Sequence, residues 1–290
     1  DLTSPRRRDA LAAMYRLPQP DAKTIVVIGA CLVDANQEVR KLALDLVTKF
    51  CIAGFDAAVG AALDDADGAI RRSALLALKA TVQDWQPAAR RALHDPDPQV
   101  VTRAIQELSA AKATRSAELL PLLDSSAEAI VTAAMSALQT NPEAGAVDAL
   151  LARAPNTKPD PLPALIAHVR AGVMNAAQLD AAFARVLLRW QAEPTGLTTN
   201  GLGAFWGRHP RAMETLLSAT RHPDDFTRFD TATVLGNVVS PNSSEFPAVR
   251  DALQALSSDS AMPRKPSIST AWSVGESAKR ALSRILSRKE

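Results

Sequence analysis

The sequence predicts an all-α protein built from roughly eight stacked helical hairpins, and three observations support this fold class. Four segments share a turn with Asp or Ser, a branched apolar residue and an alanine four positions later; the alanines are Ala43, Ala74, Ala104 and Ala134. These alanines are 31, 30 and 30 residues apart, a period typical of repeat proteins. Hydrophobic residues make up 47% of the chain but aromatic residues only 4%, which suits thin helices in close contact.

Within each repeat, the apolar spacing predicts a second helix after the turn, which we call helix B. In the clearest repeat the apolar residues are Val39, Leu42, Ala43, Leu46, Val47 and Phe50. Their i, i+3, i+4, i+7, i+8, i+11 spacing places them on one buried face of a helix. The turns before the four helices B carry N-cap candidates at Asn36, Asp67, Asp97 and Ser126, since their side-chain oxygens can accept from free backbone N–H groups.

Weaker copies of the pattern extend over the rest of the chain. Residues 6–11 resemble a helix B without its helix A, so we expect the chain to be a portion of a longer protein. Further helices are predicted at Leu162–Val173, Ala176–Glu193 and Arg211–Thr220, with Pro and Gly breaks such as Pro194–Gly203. We expect one solenoid domain over residues 1–290 with an irregular middle at 155–220; the alternative is a separate second domain.

A polar, proline-containing insertion at 257–270 predicts a mobile loop between the helices of the last repeat. Within it, the run from Arg264 to Ser267 loosely resembles a site for a basophilic kinase.

Charge and cysteine content set only broad limits on the binding partners and the compartment of the protein. The 33 basic and 31 acidic residues give a formal net charge of +2, which does not imply a nucleic-acid or membrane surface. Cys31 and Cys51 fall near the ends of consecutive antiparallel helices, roughly 15 Å apart at 1.5 Å rise per residue, too far for a disulfide. Buried free thiols are therefore expected, which favours a reducing, cytoplasmic compartment. No apolar run approaches the roughly 18–20 residues that span a bilayer.

The repeat unit resembles the HEAT repeat, in particular the bacterial HEAT-like variety also found in phycobilisome lyases. The residues that carry the resemblance are Asp34, Val39-Arg40 and Ala43, then Asp65, Ile70-Arg71 and Ala74, and later Thr227-Arg228 with Val234-Leu235-Gly236. The resemblance implies a right-handed α-α superhelix whose helices B line a concave face. It also implies a ladder between arginines and turn aspartates of adjacent repeats, so Arg7, Arg40, Arg71 and Arg228 are expected to be structural. Val101 and Val131 depart from the family pattern, since they replace the expected arginine.

The stripe of helix B opposite its buried face is the candidate binding surface. Its preferred residues are Lys41, Asp45, Arg72, Lys79, Thr102 and Gln106. Because Lys41, Arg72 and Lys79 are three cations with one local anion, Asp45, we expect a protein or peptide partner with an acidic segment.

Enzymatic chemistry is not indicated by the sequence. His94, His209 and His222 are predicted turn residues, His168 stands alone in a helix, and none has a second metal ligand at i+3 or i+4. We therefore predict a noncatalytic scaffold or adaptor without cofactor or metal site.

Two alternatives stay open. A solenoid that excises damaged bases requires aromatic residues and a carboxylate in a basic groove, whereas Trp85, Trp190, Trp206 and Trp272 are scattered and are expected to pack against helices. A near-neutral chain also lacks the positive charge that phosphate binding usually requires. The second alternative, a bilin-lyase-like protein, rests on the repeat type alone.

Overall fold

The computed structural model describes residues 4–154, 157–265, 268–269 and 272–288. The chain divides into two compact units, Asp1–Asn141 and Pro142–Glu290, which are considered separately. Both consist of helices packed in consecutive hairpins. The predicted all-α helical repeat fold is therefore confirmed.

The first unit contains α1 followed by four helical hairpins in its described residues. The helices are α1 (Ser4–Met14), α2 (Ala22–Cys31), α3 (Gln37–Phe50), α4 (Asp56–Ala61), α5 (Gly68–Thr81), α6 (Gln86–Ala92), α7 (Pro98–Ala110), α8 (Ser116–Leu119) and α9 (Glu128–Thr140). The helices B are α1, α3, α5, α7 and α9, which pack side by side in that order. Ala43, Ala74, Ala104 and Ala134 are completely buried along this row, because a methyl side chain lets neighbouring helices approach closely.

Side-chain oxygens cap three of the four helices B for which the sequence predicts an N-cap. Asn36, Asp67 and Asp97 accept hydrogen bonds from backbone N–H groups at the starts of α3, α5 and α7. The prediction for Ser126 was wrong, because α9 begins one residue later and its N-cap is Ala127. Ser125 lies where the other turns have Asp, and its Oγ accepts from the Ala127 N–H at 3.2 Å.

Arginine and aspartate side chains join consecutive turns in what we call the Arg–Asp ladder. Arg40 Nε donates to Asp65 Oδ2 at 2.8 Å, and Arg71 Nη2 donates to Asp95 Oδ1 at 2.6 Å. Each guanidinium also donates to two carbonyl oxygens of its own turn. Arg228 makes the same arrangement with Asp259 in the second unit, and Arg7 pairs with Asp34 in the first. The predicted structural role of these four arginines is therefore confirmed.

The ladder stabilises the charged state of its carboxylates. The Arg71 guanidinium holds the pKa of the Asp95 carboxyl below its usual range, and the same bond raises the pKa of Arg71. For Asp34 the backbone N–H of Asn36 is the larger cause of a lowered pKa and Arg7 the next. At positions 101 and 131, where valine replaces the arginine, both side chains are buried, so apolar packing holds those positions instead.

In its described residues the second unit contains four further hairpins. Its helices are α10 (Val147–Ala152), α11 (Leu162–Ala171), α12 (Ala176–Ala192), α13 (Gly196–Ala204), α14 (Arg211–Ala219), α15 (Asp225–Val238), α16 (Phe246–Leu256) and α17 (Val274–Leu286). Here the helices B are α11, α13, α15 and α17, again packed in order. Between α16 and α17, strand β1 (Arg264–Lys265) pairs antiparallel with β2 (Ile268–Ser269). Ser267 of the kinase-like run lies outside the described residues.

The three helices predicted in the irregular middle form, but the predicted break at Pro194–Gly203 was wrong. Most of it is α13, which begins with reciprocal hydrogen bonds between Thr195 and Thr198. Glycine is a weak helix former, yet a Cβ atom on Gly203 would lie 2.5 Å from Val234 Cγ1. The close approach of α13 to α15 therefore requires glycine, and tertiary packing outweighs propensity here.

The prediction of two buried free thiols was half right. Both cysteines are free and Cys31 is buried. Cys51 is exposed, because it ends α3 in the left-handed conformation with φ 48° and so turns away from the helix face.

Replacing Arg71 by Met should lower the free energy of unfolding by about 1–3 kcal/mol, because Asp95 keeps its charge while it loses its half-buried cation. Urea denaturation followed by circular dichroism measures this change. The matched control is Arg91→Met, since Arg91 and Asp64 form a surface pair with side chains 64% and 62% exposed; a change below about 0.5 kcal/mol is expected there. An equal decrease in the free energy of unfolding in the two variants would contradict a stabilising role of the ladder beyond that of a surface ion pair.

Candidate functional site

A groove of about 810 Å³ runs between α7 and α9, and we call it the α7–α9 groove. Small and polar side chains line most of it: Thr102, Gln106, Ser109, Thr132, Ser136 and Thr140, with Ala110, Ala129, Ala133 and Glu128. Thr102 and Gln106 were predicted as site residues, and both lie on the stripe opposite the buried face. The volume lies in the range of small-ligand and peptide sites.

A second groove of about 400 Å³, the α5–α7 groove, lies beside it and shares Thr102, Gln106 and Ala129. Arg72 and Arg103 contribute the positive charge of its lining. Arg72 donates to the amide oxygen of Gln99. The structure therefore brings three of the predicted residues, Arg72, Thr102 and Gln106, to one surface.

Lys79 lies further along α5, against Glu107 and Trp85. Its Nζ donates to Glu107 Oε2 and lies 5.6 Å from the centre of the Trp85 ring. Arg103 contacts the same carboxylate at 3.3 Å. Two cations thus share one anion, which leaves one positive charge in excess.

Lys41 and Asp45 form a separate pair that is not among the residues lining the two grooves. Lys41 Nζ lies 2.7 Å from Asp45 Oδ2, and Asp45 Oδ1 accepts from Ser73 Oγ at 2.9 Å. The pair therefore joins α3 to α5 across the same side of the helices B.

Glu107 is the residue of this region that the sequence prediction omitted. It lies seven positions after Val100, on the apolar stripe of α7, and is only 8% exposed. A carboxylate on a buried stripe needs a cation nearby, and Arg103 at i−4 was available as the partner. The spacing of these two residues was the signal that could have identified Glu107.

The contacts of His168 and His209 indicate structural roles for both side chains. His168 is completely buried in α11, where Nδ1 lies 2.8 Å from the Ala164 carbonyl oxygen and Nε2 accepts from the Glu143 N–H at 3.2 Å. Burial lowers the pKa of His168. His209 stacks on Phe183 with ring centres 3.8 Å apart, and burial, opposed by Asp180, lowers its pKa as well. Within the described ranges, no group of three or more His, Cys, Asp or Glu side chains could hold a metal ion.

The tryptophans do not converge on either groove of the first unit. Trp85 and Trp190 are buried at 7% and 8% exposure, as their predicted packing roles require. Trp206 lines a different groove, in the second unit. Trp272 is 41% exposed, and the Arg280 guanidinium lies 3.8 Å from its ring centre. The residues that a base-excision site requires are therefore not assembled around the α7–α9 groove.

Comparison with solved structures gives similarity at the level of the fold. The chain is similar to an engineered protein. The two share 16% sequence identity with a TM-score of 0.52, over 100% of this chain and 97% of the engineered one. A chain in a structure of Kap95p with RanGDP matches at 15% identity and a TM-score of 0.48, covering 98% of this chain and 41% of that one. No protein-family model and no curated protein matches the sequence. In the part of the chain that is described, no helix is long and apolar enough to cross a membrane.

Burial of neutral His168 should make folding stability depend on pH. Because its folded pKa is lowered, the unfolded chain binds the proton first as pH falls below about 6.5. Stability is therefore complete above that pH and decreases below it, with a slope of up to about 1.4 kcal/mol per pH unit from this residue. Urea denaturation from pH 7.5 to 5.5 should show a smaller slope for His168→Gln than for wild type. A slope unchanged by His168→Gln would contradict the assignment.

Proposed function

We propose that this protein is a noncatalytic interaction scaffold that binds an acidic segment of a partner protein on the helix B face of its first unit. The observation that carries the proposal is the excess of positive charge beside two adjoining grooves. Arg72 donates to a neutral amide, while Lys79 and Arg103 share the single carboxylate of Glu107. Carboxylates of a partner would complete these interactions.

The α7–α9 groove supports the same proposal by its shape and chemistry. Its walls are mainly alanine methyl groups and short hydroxyl side chains, so little side-chain freedom is lost when a partner binds. The Thr102 hydroxyl is buried without a hydrogen-bond partner among the described residues, and an N–H or O–H group of a ligand can satisfy it. The occupant we infer has apolar side chains over this groove and acidic residues over the α5–α7 groove.

We further infer that the repeats are of the HEAT-like type, that residues 1–290 form one solenoid domain, and that the helices B form its concave face. The Arg–Asp ladder supports the first inference, since it joins the turn and helix B positions that the repeat pattern relates. Packing of helices B in chain order within each unit supports the others. Lys41 and Asp45 would then extend the binding surface toward α3.

The test is capture of partners by affinity purification, followed by affinity measurement with each purified partner. Arg72→Glu should weaken binding at least about tenfold, since it reverses a charge that faces the partner carboxylates. Ser136→Trp should do the same without any change in charge, because the exposed Ser136 lines the α7–α9 groove and the indole would fill it.

Arg91→Glu is the matched control, because it makes the same charge reversal at a surface residue outside both grooves. It should leave the affinity within about twofold. A partner whose affinity is unchanged by Arg72→Glu and Ser136→Trp, or lowered equally by Arg91→Glu, would refute binding at this surface. Capture of nucleic acid without protein would refute the scaffold itself.

A further inference from the structure

A third groove, in the second unit, collects cationic and amide side chains at the C-terminal ends of α13 and α15. Its volume is about 380 Å³, and it is lined by Arg170, Arg208, Asn200, Asn237 and Trp206, together with Gly203, Ala204, Val234 and Val238. None of these nine described residues is acidic. We call it the arginine groove.

The two arginines of this groove retain unused hydrogen-bond donors. Arg208 Nη2 donates to the Arg170 carbonyl oxygen at 3.2 Å, which uses one of the five N–H donors of its guanidinium. The Arg170 side chain is exposed and makes no hydrogen bond or ion pair with the described residues. Two guanidinium groups therefore border the same groove without a carboxylate to neutralise them, although each could bind two oxygens of one anion.

Nearby contacts hold the rest of the groove in place. Asn237 Oδ1 accepts from Arg284 on α17, and Arg288 Nη2 donates to the carbonyl oxygens of Gly236 and Asn237 at 2.8 and 2.7 Å. These bonds occupy the free carbonyl groups at the end of α15, whose partial negative charge would otherwise oppose an anion. Asn200 Nδ2 donates to Gly196 O at 2.6 Å, which uses one of the two N–H donors of its amide.

From this arrangement we propose that the arginine groove binds a phosphate monoester. A monoester carries a charge of about −1.5 to −2 near pH 7, which matches two guanidiniums. A carboxylate or a phosphodiester carries a single negative charge. The charge balance therefore favours a monoester over an acidic side chain or a nucleic-acid backbone.

The wall of the groove indicates what the phosphate is attached to. Trp206, Val234 and Val238 form its apolar part, and the groove has more room than one phosphate group fills. An aromatic or aliphatic substituent would contact these side chains while the phosphate binds the arginines. Such a group is present in a small phosphate ester and in a phosphorylated tyrosine of a partner protein.

Isothermal titration calorimetry with phenyl phosphate tests the proposal on the full chain. Wild type should bind with 1:1 stoichiometry, and Arg170→Gln should weaken binding at least about tenfold through loss of a charge-assisted pair. Arg170→Lys, which keeps the charge but loses the bidentate geometry, should give an intermediate loss. Arg250→Gln is the matched control, because Arg250 lies on α16 beside Asp251 and makes the same change in net charge; its affinity should equal that of wild type.

Two comparisons distinguish the ligand chemistry and its source. Benzoate and a single-stranded oligonucleotide without terminal phosphates should each bind at least about tenfold more weakly than phenyl phosphate, since a carboxylate and each phosphodiester group carry a single negative charge. A phosphotyrosine peptide that binds more tightly than phenyl phosphate would assign the group to a partner protein, and the reverse order would assign it to a small molecule. The proposal is overturned by lack of saturable phenyl phosphate binding, by equal affinity for benzoate or the oligonucleotide, or by equal loss in Arg250→Gln.

Discussion

Through most of the first unit, and at Arg228 in the second, consecutive hairpins are joined by hydrogen-bonded pairing of an arginine at the start of one helix B with an aspartate in the following turn. Arg40, Arg71 and Arg228 each donate to carbonyl oxygens of their own turn and to the next aspartate. That aspartate also accepts a backbone N–H two residues further on. One ion pair thus provides hydrogen-bond partners for backbone carbonyl oxygens of one turn and a backbone N–H group of the next. Burying these backbone groups without partners would cost free energy.

The candidate binding surface follows from this constraint. Because the ladder and the buried alanines hold the helices B in register, residues two and six positions after each branched apolar residue point to the same side. Arg72, Thr102 and Gln106 occupy such positions and line one groove. A few charges then decide whether a groove favours anions. Beside the α5–α7 groove, two cations share the one carboxylate of Glu107, and the described residues that line the arginine groove include no carboxylate.

The sequence was sufficient for the features that repeat and insufficient for those that do not. The buried alanines and three of the N-caps were predictable because the same chemistry recurs about every 30 residues. The ladder was expected only from the family that the repeat resembles. Helix α13 was not predictable, because its glycines disfavour a helix locally and only the close approach of Val234 to Gly203 and of Ile166 to Gly201 explains them. The arginine groove was also missed, since Arg170 and Arg208 lie 38 positions apart and no repeated pattern relates them.

Val101 and Val131 take the places of two ladder arginines, so the contacts between consecutive hairpins of the first unit, which we call joints, differ in chemistry. Joints built on Asp34, Asp65 and Asp95 depend on carboxylates whose pKa is lowered, so acid weakens them once pH falls below the range in which those groups stay charged. The joint between α7 and α9 is packed instead by buried valines, and apolar contacts respond to temperature more than to protons. Acid should therefore loosen the array on the N-terminal side of α7 first, while the floor of the α7–α9 groove keeps its packing.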